Sequence, residues 1–401
     1  MFYFLLGVYF FYVAVKAILA ILQINFIRSE AKRPAVVLEQ NEYETAAAAA
    51  ISNQKFEIAS LFYHAAIFIM WACWGLGELY ESAYKTGELR DHIIFVMSFM
   101  IISSLLELPL NIYETFVKDK KLGFSNVTPK IFVLDLLKTL VLTLVFGTLF
   151  VWLVLLCIRF LGDFWWFWAF LMSFAVALVI NLIYPTLIAP IFNKMQPLED
   201  GELKSRIEGL LTQCGFKSSG VFTIDASKRD NRLNAYFGGL GATKRVVLFD
   251  TLVKKLSLEE IIAVLGHELG HFKHKDILKM IALSAVMLFA MFFIFANIPD
   301  EAYGALGLSP AGGGVIVFLL LFSPVFGFLF SPISSYFSRA NEFGADKFAG
   351  EISNKADMIS ALKKLGSENK AFPKAHPLYA FFYHSHPSLF ERINELENDG
   401  K

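Results

Sequence analysis

The chain has 401 residues, of which 56% are hydrophobic and only 18% charged, with Lys+Arg and Asp+Glu balanced at 36 each. Soluble domains carry about a quarter charged residues, so this composition, with a mean hydropathy of +0.53, excludes an ordinary soluble protein and favours a membrane protein. A formal net charge of zero leaves no basic footprint for nucleic acid.

A helix needs about 20 mostly apolar residues to cross a bilayer. Seven stretches qualify, at 1–26, 59–81, 93–117, 131–158, 164–192, 276–298 and 313–337. The first is longer and more aromatic than a signal-peptide core. It lacks a basic leading segment and a small-residue cleavage site, so it reads as a membrane span. The fourth and fifth are separated only by Arg159–Asp163 and read as a helical hairpin. Three cysteines, Cys73, Cys157 and Cys214, have neither metal-like nor disulfide-like spacing. The first two lie in apolar runs and read as small core residues.

Basic residues alternate between loops. Arg28, Lys32, Arg33 and Lys55 follow the first span, and Lys118, Lys120, Lys121 and Lys130 follow the third. The segment 193–275 and the C-terminal tail are also rich in Lys and Arg. The intervening loops carry Lys85 and Arg90, then Arg159, then none over 299–312. The positive-inside rule therefore places the N-terminus outside, and the segment 193–275 and the tail in the cytoplasm. Polar residues within spans, namely Glu107, Asn111, Asp135, Lys138 and Asn181, are costly against lipid. Such groups face a bundle interior or a water-filled cavity, or snorkel to the interface when near a helix end.

The insert 193–275 has helical periodicity over Gly201–Leu211. Val221–Ile224, Asn234–Phe237 and Arg245–Phe249 read as short strands, with a turn signal at Gly238-Gly239-Leu240-Gly241. Ser257 and Glu260 form a capping-box pattern that starts a helix over an apolar run.

That helix contains His267-Glu268-Leu269-Gly270-His271. Positions i and i+4 share a face, so two imidazoles can hold one tetrahedral Zn²⁺. Glu268 stands beside them, able to take a proton from an activated water. Zinc needs a third protein ligand. Ten residues after His267, where one class of zinc peptidase carries a third histidine, this chain has Ile277. His274 reads as an exposed or supporting helix residue. Glu342 is the better candidate, in Ser338-Arg339-Ala340-Asn341-Glu342-Phe343-Gly344-Ala345-Asp346, which continues the seventh span on the same side. Glu342 and Asp346 are one helical turn apart, so one carboxylate can bind metal while the other accepts the free N–H of a ligand histidine. Near the end, His386 or Arg392 could donate to an oxyanion, although, taken alone, a His-Pro turn leading into a last helix reads first as a structural feature.

These segments together resemble the type I CAAX prenyl endopeptidase family, membrane zinc metalloproteases of the gluzincin group. The resemblance rests on Pro190–Lys194 with Pro197-Leu198, Ser227-Lys228-Arg229, Asn234-Ala235-Tyr236-Phe237, Lys244–Leu252, the His267–His271 motif, Ser338–Asp346, and His386-Pro387-Ser388 with Glu391-Arg392. It implies a mainly α polytopic membrane protein, with about seven transmembrane helices around a water-filled chamber. A cytoplasm-facing zinc peptidase domain with a small β-sheet completes the fold. It further implies one Zn²⁺ per chain on His267, His271 and Glu342, with Glu268 as general base and Asp346 orienting a ligand histidine. His386 would lie near the reacting carbonyl with Arg392 supporting it, and Asn234, Ala235 and Tyr236 would pair with an extended substrate backbone. The expected partners are a peptide or prenylated protein substrate and the lipid bilayer. Arg232-Leu233 departs from the family's frequent His-Ser before Asn-Ala-Tyr-Phe, and the first two spans match only loosely.

Two regions are expected, five spans over 1–192 and a peptidase domain over 193–401 that includes two more spans. The ending Glu397–Lys401 lacks a dilysine signal, so a bacterial inner membrane is as natural a home as the endoplasmic reticulum. A membrane quality-control protease is the nearest alternative. A transporter or metal-binding scaffold is the non-enzymatic one.

Overall fold

The computed structural model describes residues 1–239 and 244–398. Seven helices among them are long and apolar enough to cross a membrane. The first five are α1 (Phe2–Glu30), α2 (Gln40–Ala83), α3 (Leu89–Lys121), α4 (Pro129–Phe160) and α5 (Gly162–Phe192). A small mixed sheet follows, with strands β1 (Met195–Pro197), β2 (Val221–Ile224), β3 (Ala235–Gly238) and β4 (Arg245–Phe249). Helix α6 (Glu202–Gln213) lies between β1 and β2. Then come α7 (Leu258–Lys273), the sixth span α8 (Asp276–Ala296) and the seventh span α9 (Gly313–Ile352). Helices α10 (Lys355–Glu368), α11 (Pro377–Tyr383) and α12 (Leu389–Asn398) close the chain.

All seven expected spans are present, and the differences lie at their ends. Helix α2 begins at Gln40, well before the expected 59, because the alanine run 46–50 continues the helix beyond its apolar part. Helix α9 runs on to Ile352 and carries Glu342 and Asp346 as part of the seventh span's own helix. Each of α2 to α5 contains one π-turn, at Trp71–Gly75, Glu114–Lys118, Thr143–Gly147 and Tyr184–Ile188. A π-turn inserts a residue and bends the helix locally.

The sheet order is β1-β2-β4-β3, with β2 and β4 parallel and the two outer pairs antiparallel. The three expected strands are found. The fourth, β1, is three residues long and ends in Pro197, too short to show alternation. The expected turn at Gly238–Gly241 falls partly outside the described residues.

Two apolar cores result. One joins the spans through Phe68, Phe95, Phe295 and Phe318, all fully buried. The other packs the sheet on α7 through Val246, Leu248, Leu252, Leu265 and Leu269. Cys73, expected in a core, is exposed on its span.

Four of the intramembrane polar residues, Asp135, Lys138, Glu107 and Asn181, have identifiable partners. Asp135 accepts a two-pronged contact from Arg229, at 2.8 and 3.0 Å, which fastens α4 to the loop between β2 and β3. Lys138 donates to the Ile191 carbonyl at 2.8 Å. Glu107 pairs with His64 at 2.9 Å, and the Asn181 side chain donates to the Ala177 carbonyl. At the other end, Lys374 pairs with Glu30 and the His376 amide donates to Gln23, both at 2.8 Å, tying the tail to the first span.

Candidate active site

Helix α7 is fixed at its start. The Ser257 hydroxyl accepts from the Glu260 amide at 3.2 Å, and the Glu260 carboxylate accepts from the Ser257 amide at 2.7 Å. This reciprocal cap satisfies otherwise orphaned N–H groups. Glu260 is itself buried and also accepts from the Ser360 hydroxyl and Lys364, at 2.7 and 3.0 Å, which clamps α7 to α10. Residues Ile261–Leu265 are buried, so α7 has one orientation, and His267 and His271 follow on its last turns.

Helix α9 approaches α7 very closely at Gly270. A Cβ at that position would lie 2.8 Å from the Ala345 Cα. Only a glycine there allows the backbones to come near enough for Glu342 to reach both histidines.

The three side chains meet as a compact group. His267 Nε2 and His271 Nε2 are 3.2 Å apart. Glu342 Oε2 is 3.4 Å from His267 Nε2, and Glu342 Oε1 is 3.3 Å from His271 Nε2. A tetrahedral cation with bonds of about 2.0–2.2 Å separates its ligand atoms by about 3.3–3.6 Å, so the triangle has the right size. Glu342 Oε2 is buried and accepts no hydrogen bond from another described residue. The histidines have committed their other nitrogens. His267 Nδ1 is 2.7 Å from Asp346 Oδ1, and His271 Nδ1 is 3.1 Å from Asp276 Oδ2. Two Nε2 lone pairs facing one another beside a carboxylate call for a positive charge between them.

Asp346 is in turn held by Arg392, which donates through Nε and Nη2 at 2.8 and 2.6 Å. Arg392 therefore backs the His267 partner. Its Nη1 is 3.7 Å from Glu342 Oε2. His386 Nε2 stands 3.3 Å from Glu342 Oε1 on the exposed side of the group. Its loop is pinned by Arg339, which donates to the carbonyls of Ala380 and His384 at 2.7 and 2.6 Å. A cleft of about 460 Å³ opens beside His386, lined also by Arg339, Lys374, His384 and Glu391.

Glu268 makes no hydrogen bond or ion pair with another described residue. Burial raises its pKa above the usual carboxylate value, restrained by the nearby His267 and His271. Burial disfavours positive charge at His267, but Asp346 and Glu342 favour it and outweigh burial, so the group attracts a cation.

The expected substrate strand is at the sheet edge. Among the described residues β3 pairs in the sheet with β4 alone and forms its edge. Ala235 and Tyr236 lie on it, and Asn234 precedes it, exposed and accepting from the Ala235 amide. His274 caps α7 beside Gly344 and Phe348 and is not among the three grouped side chains. Three positioning features were not found by sequence reasoning: Arg339, Asp276 and the Gly270 contact. Arg339 and Gly270 lie inside segments already singled out. Asp276 opens an apolar span and carries no local signal.

A multi-pass helical membrane protein whose buried His-His-Glu group stands beside an unpaired carboxylate has the build of a membrane metallopeptidase, and comparison with known proteins agrees. Residues 197–399 match Peptidase family M48, and residues 23–194 match the CAAX prenyl protease N-terminal region of five membrane helices. The chain belongs to peptidase family M48. It is 36% identical over 333 residues to the CAAX prenyl protease 1 homolog of Dictyostelium discoideum, covering 81% of this chain and 77% of that one. It is 34% identical over 363 residues to CAAX prenyl protease 1 of Saccharomyces cerevisiae, covering 86% and 79%. The crystal structure of S. mikatae Ste24p superposes with a TM-score of 0.89 at 30% identity, over 98% of each chain.

Proposed function

We propose that this protein is a zinc endopeptidase of the gluzincin type that trims the C-terminal CAAX segment of prenylated proteins at the cytoplasmic face of its membrane. The observation that carries the chemistry is the triangle of His267, His271 and Glu342 atoms with edges of 3.2, 3.4 and 3.3 Å. Two imidazoles and a carboxylate suit zinc. When bound there, zinc would supply a Lewis acid that acidifies water and polarises the scissile carbonyl.

The chain's own residues supply the rest. Glu268, unpaired and less acidic than an exposed carboxyl, accepts the proton of the attacking water and returns it to the leaving amine. His386, on the open side of the group, donates to the developing oxyanion. Asp346 and Arg392 hold His267 in the tautomer that leaves Nε2 free. The open edge of β3, with Asn234, Ala235 and Tyr236, aligns the substrate backbone.

The substrate class is drawn from the relatives named CAAX prenyl proteases. The alternation of basic loops supports a cytoplasmic active site, in a bacterial inner membrane or the endoplasmic reticulum. Residues 1–192 would then form the membrane region and 193–401 the peptidase domain with two spans of its own.

The test is release of the terminal tripeptide from a farnesylated CAAX peptide by purified protein in detergent, with Glu268→Gln and a chelator as controls. Cleavage by the wild type alone supports the proposal. A wild type that carries stoichiometric zinc yet leaves the peptide intact would remove the CAAX assignment and favour a quality-control protease acting on unfolded membrane proteins.

A further inference from the structure

Helix α7 ends at Lys273 and α8 begins at Asp276, so the elbow between the two helices is very short. It is made by Lys275, whose φ of 57° and ψ of 31° are left-handed. That conformation is disfavoured for a non-glycine residue, and the Lys275 amide closes the turn on the Phe272 carbonyl at 3.1 Å. The elbow folds the first residue of the sixth span back against the last turn of α7.

Asp276 is buried there, at 3% exposure. A buried carboxylate needs partners, and Asp276 has two. Its Oδ2 is 3.1 Å from His271 Nδ1, and its Oδ1 is 2.7 Å from the Nζ of Lys279, whose side chain reaches solvent. An ordinary explanation is an acidic residue at a helix start with a salt bridge one turn on. That explains an exposed aspartate. It does not explain burial, nor an oxygen aimed at a ring nitrogen. The α8 N-cap position is Lys275, without a side-chain cap bond, and no described backbone amide of α8 donates to Asp276. One carboxylate oxygen faces Lys279 and the other faces His271.

We infer that Asp276 is the positioning residue for His271, as Asp346 is for His267. It accepts the Nδ1 proton, fixes the ring's rotation, and leaves the Nε2 lone pair facing Glu342 and His267. This rests on the reading of His271 as a metal ligand. The two orienting carboxylates then come from the first turn of the sixth span and the cytoplasmic extension of the seventh. Metal affinity is thereby tied to the seating of both spans against α7.

The test compares full-length wild type, Asp276→Ala, Asp276→Asn and Lys279→Ala in detergent. Zinc affinity is read by competition with a chromophoric chelator, coordination by the visible spectrum of the Co²⁺-loaded protein, and folding by the thermal midpoint of the metal-free protein. Asp276→Ala should bind zinc about 10–100-fold more weakly and show an altered Co²⁺ spectrum, with its metal-free midpoint near wild type. Asp276→Asn keeps an oxygen acceptor and should recover most of the affinity. Lys279→Ala should stay within about threefold of wild type, on the same scale. Wild-type affinity and spectrum in Asp276→Ala would overturn the assignment. So would equal losses in Asp276→Ala and Lys279→Ala accompanied by lowered metal-free midpoints. A wild type that binds no metal would instead remove the metallopeptidase reading, and this role with it.

Discussion

Glu268 and Glu260 are eight residues apart on one helix and do opposite work. Glu268 is left without a partner and made less acidic by burial, as a proton acceptor should be. Glu268→Gln should lower kcat by about 10²–10⁴-fold while zinc content is kept, checked by peptide cleavage and metal analysis on one preparation. Glu260 is a structural carboxylate. Burial opposes its charge, but the Ser257 amide, the Ser360 hydroxyl and Lys364 outweigh that and hold its pKa below the usual glutamate value. Its folded pKa is depressed, so its stabilisation is complete above the unfolded value of about 4.3 and fades as pH falls through the lower folded value. Glu260→Gln should therefore destabilise the protein at pH 7 by about 1–2 kcal/mol. The gap to wild type should close in acid, measured as thermal midpoints across pH.

At the scale of elements, the site depends on how closely two helices approach and on how the peptidase part is moored. Gly270 touches Ala345 backbone to backbone, so even Gly270→Ala must push α7 from α9. It should weaken zinc binding and activity together although no ligand is altered, whereas a substitution at the exposed Lys273 should leave both near wild type. The second mooring is Arg229 on Asp135, with Asn193 as a further acceptor at 3.0 Å. Both charged side chains are largely shielded, so Asp135→Ala leaves a part-buried guanidinium with Asn193 as its remaining side-chain acceptor. A loss of about 1–3 kcal/mol is expected. The double variant with Arg229→Ala should lose less than the sum of the singles, as a double-mutant cycle would show.

At the scale of the whole molecule, seven apolar helices and the alternation of basic loops predict a topology. An N-terminal tag should be reached only from the non-cytoplasmic face of sealed vesicles, and a C-terminal tag only from the cytoplasmic face. His64 and Glu107 sit within spans, paired with each other and partly exposed. Such a pair is expected to face the bundle interior or a water-filled cavity. In a cysteine-free background, His64→Cys should react with a membrane-impermeant thiol reagent. Silence at that position would count against a water-filled interior.

Much of this was legible before the fold was known, because it depends on local physics. Twenty apolar residues in a row cannot hide in a soluble core, so composition determined the membrane spans. The i, i+4 spacing of His267 and His271 and the Ser257–Glu260 cap are properties of one helix and need no neighbours. The tertiary structure alone decided the relations between distant segments. It brings Glu342 of the seventh span onto the pair of histidines, and it sets Asp346 and Arg392 behind His267. It turns Asp276, an unremarked aspartate before an apolar run, into the partner of His271 through a two-residue elbow. These contacts carry no sequence period, because each is made by the packing of helices whose separation along the chain has no bearing on their distance in space.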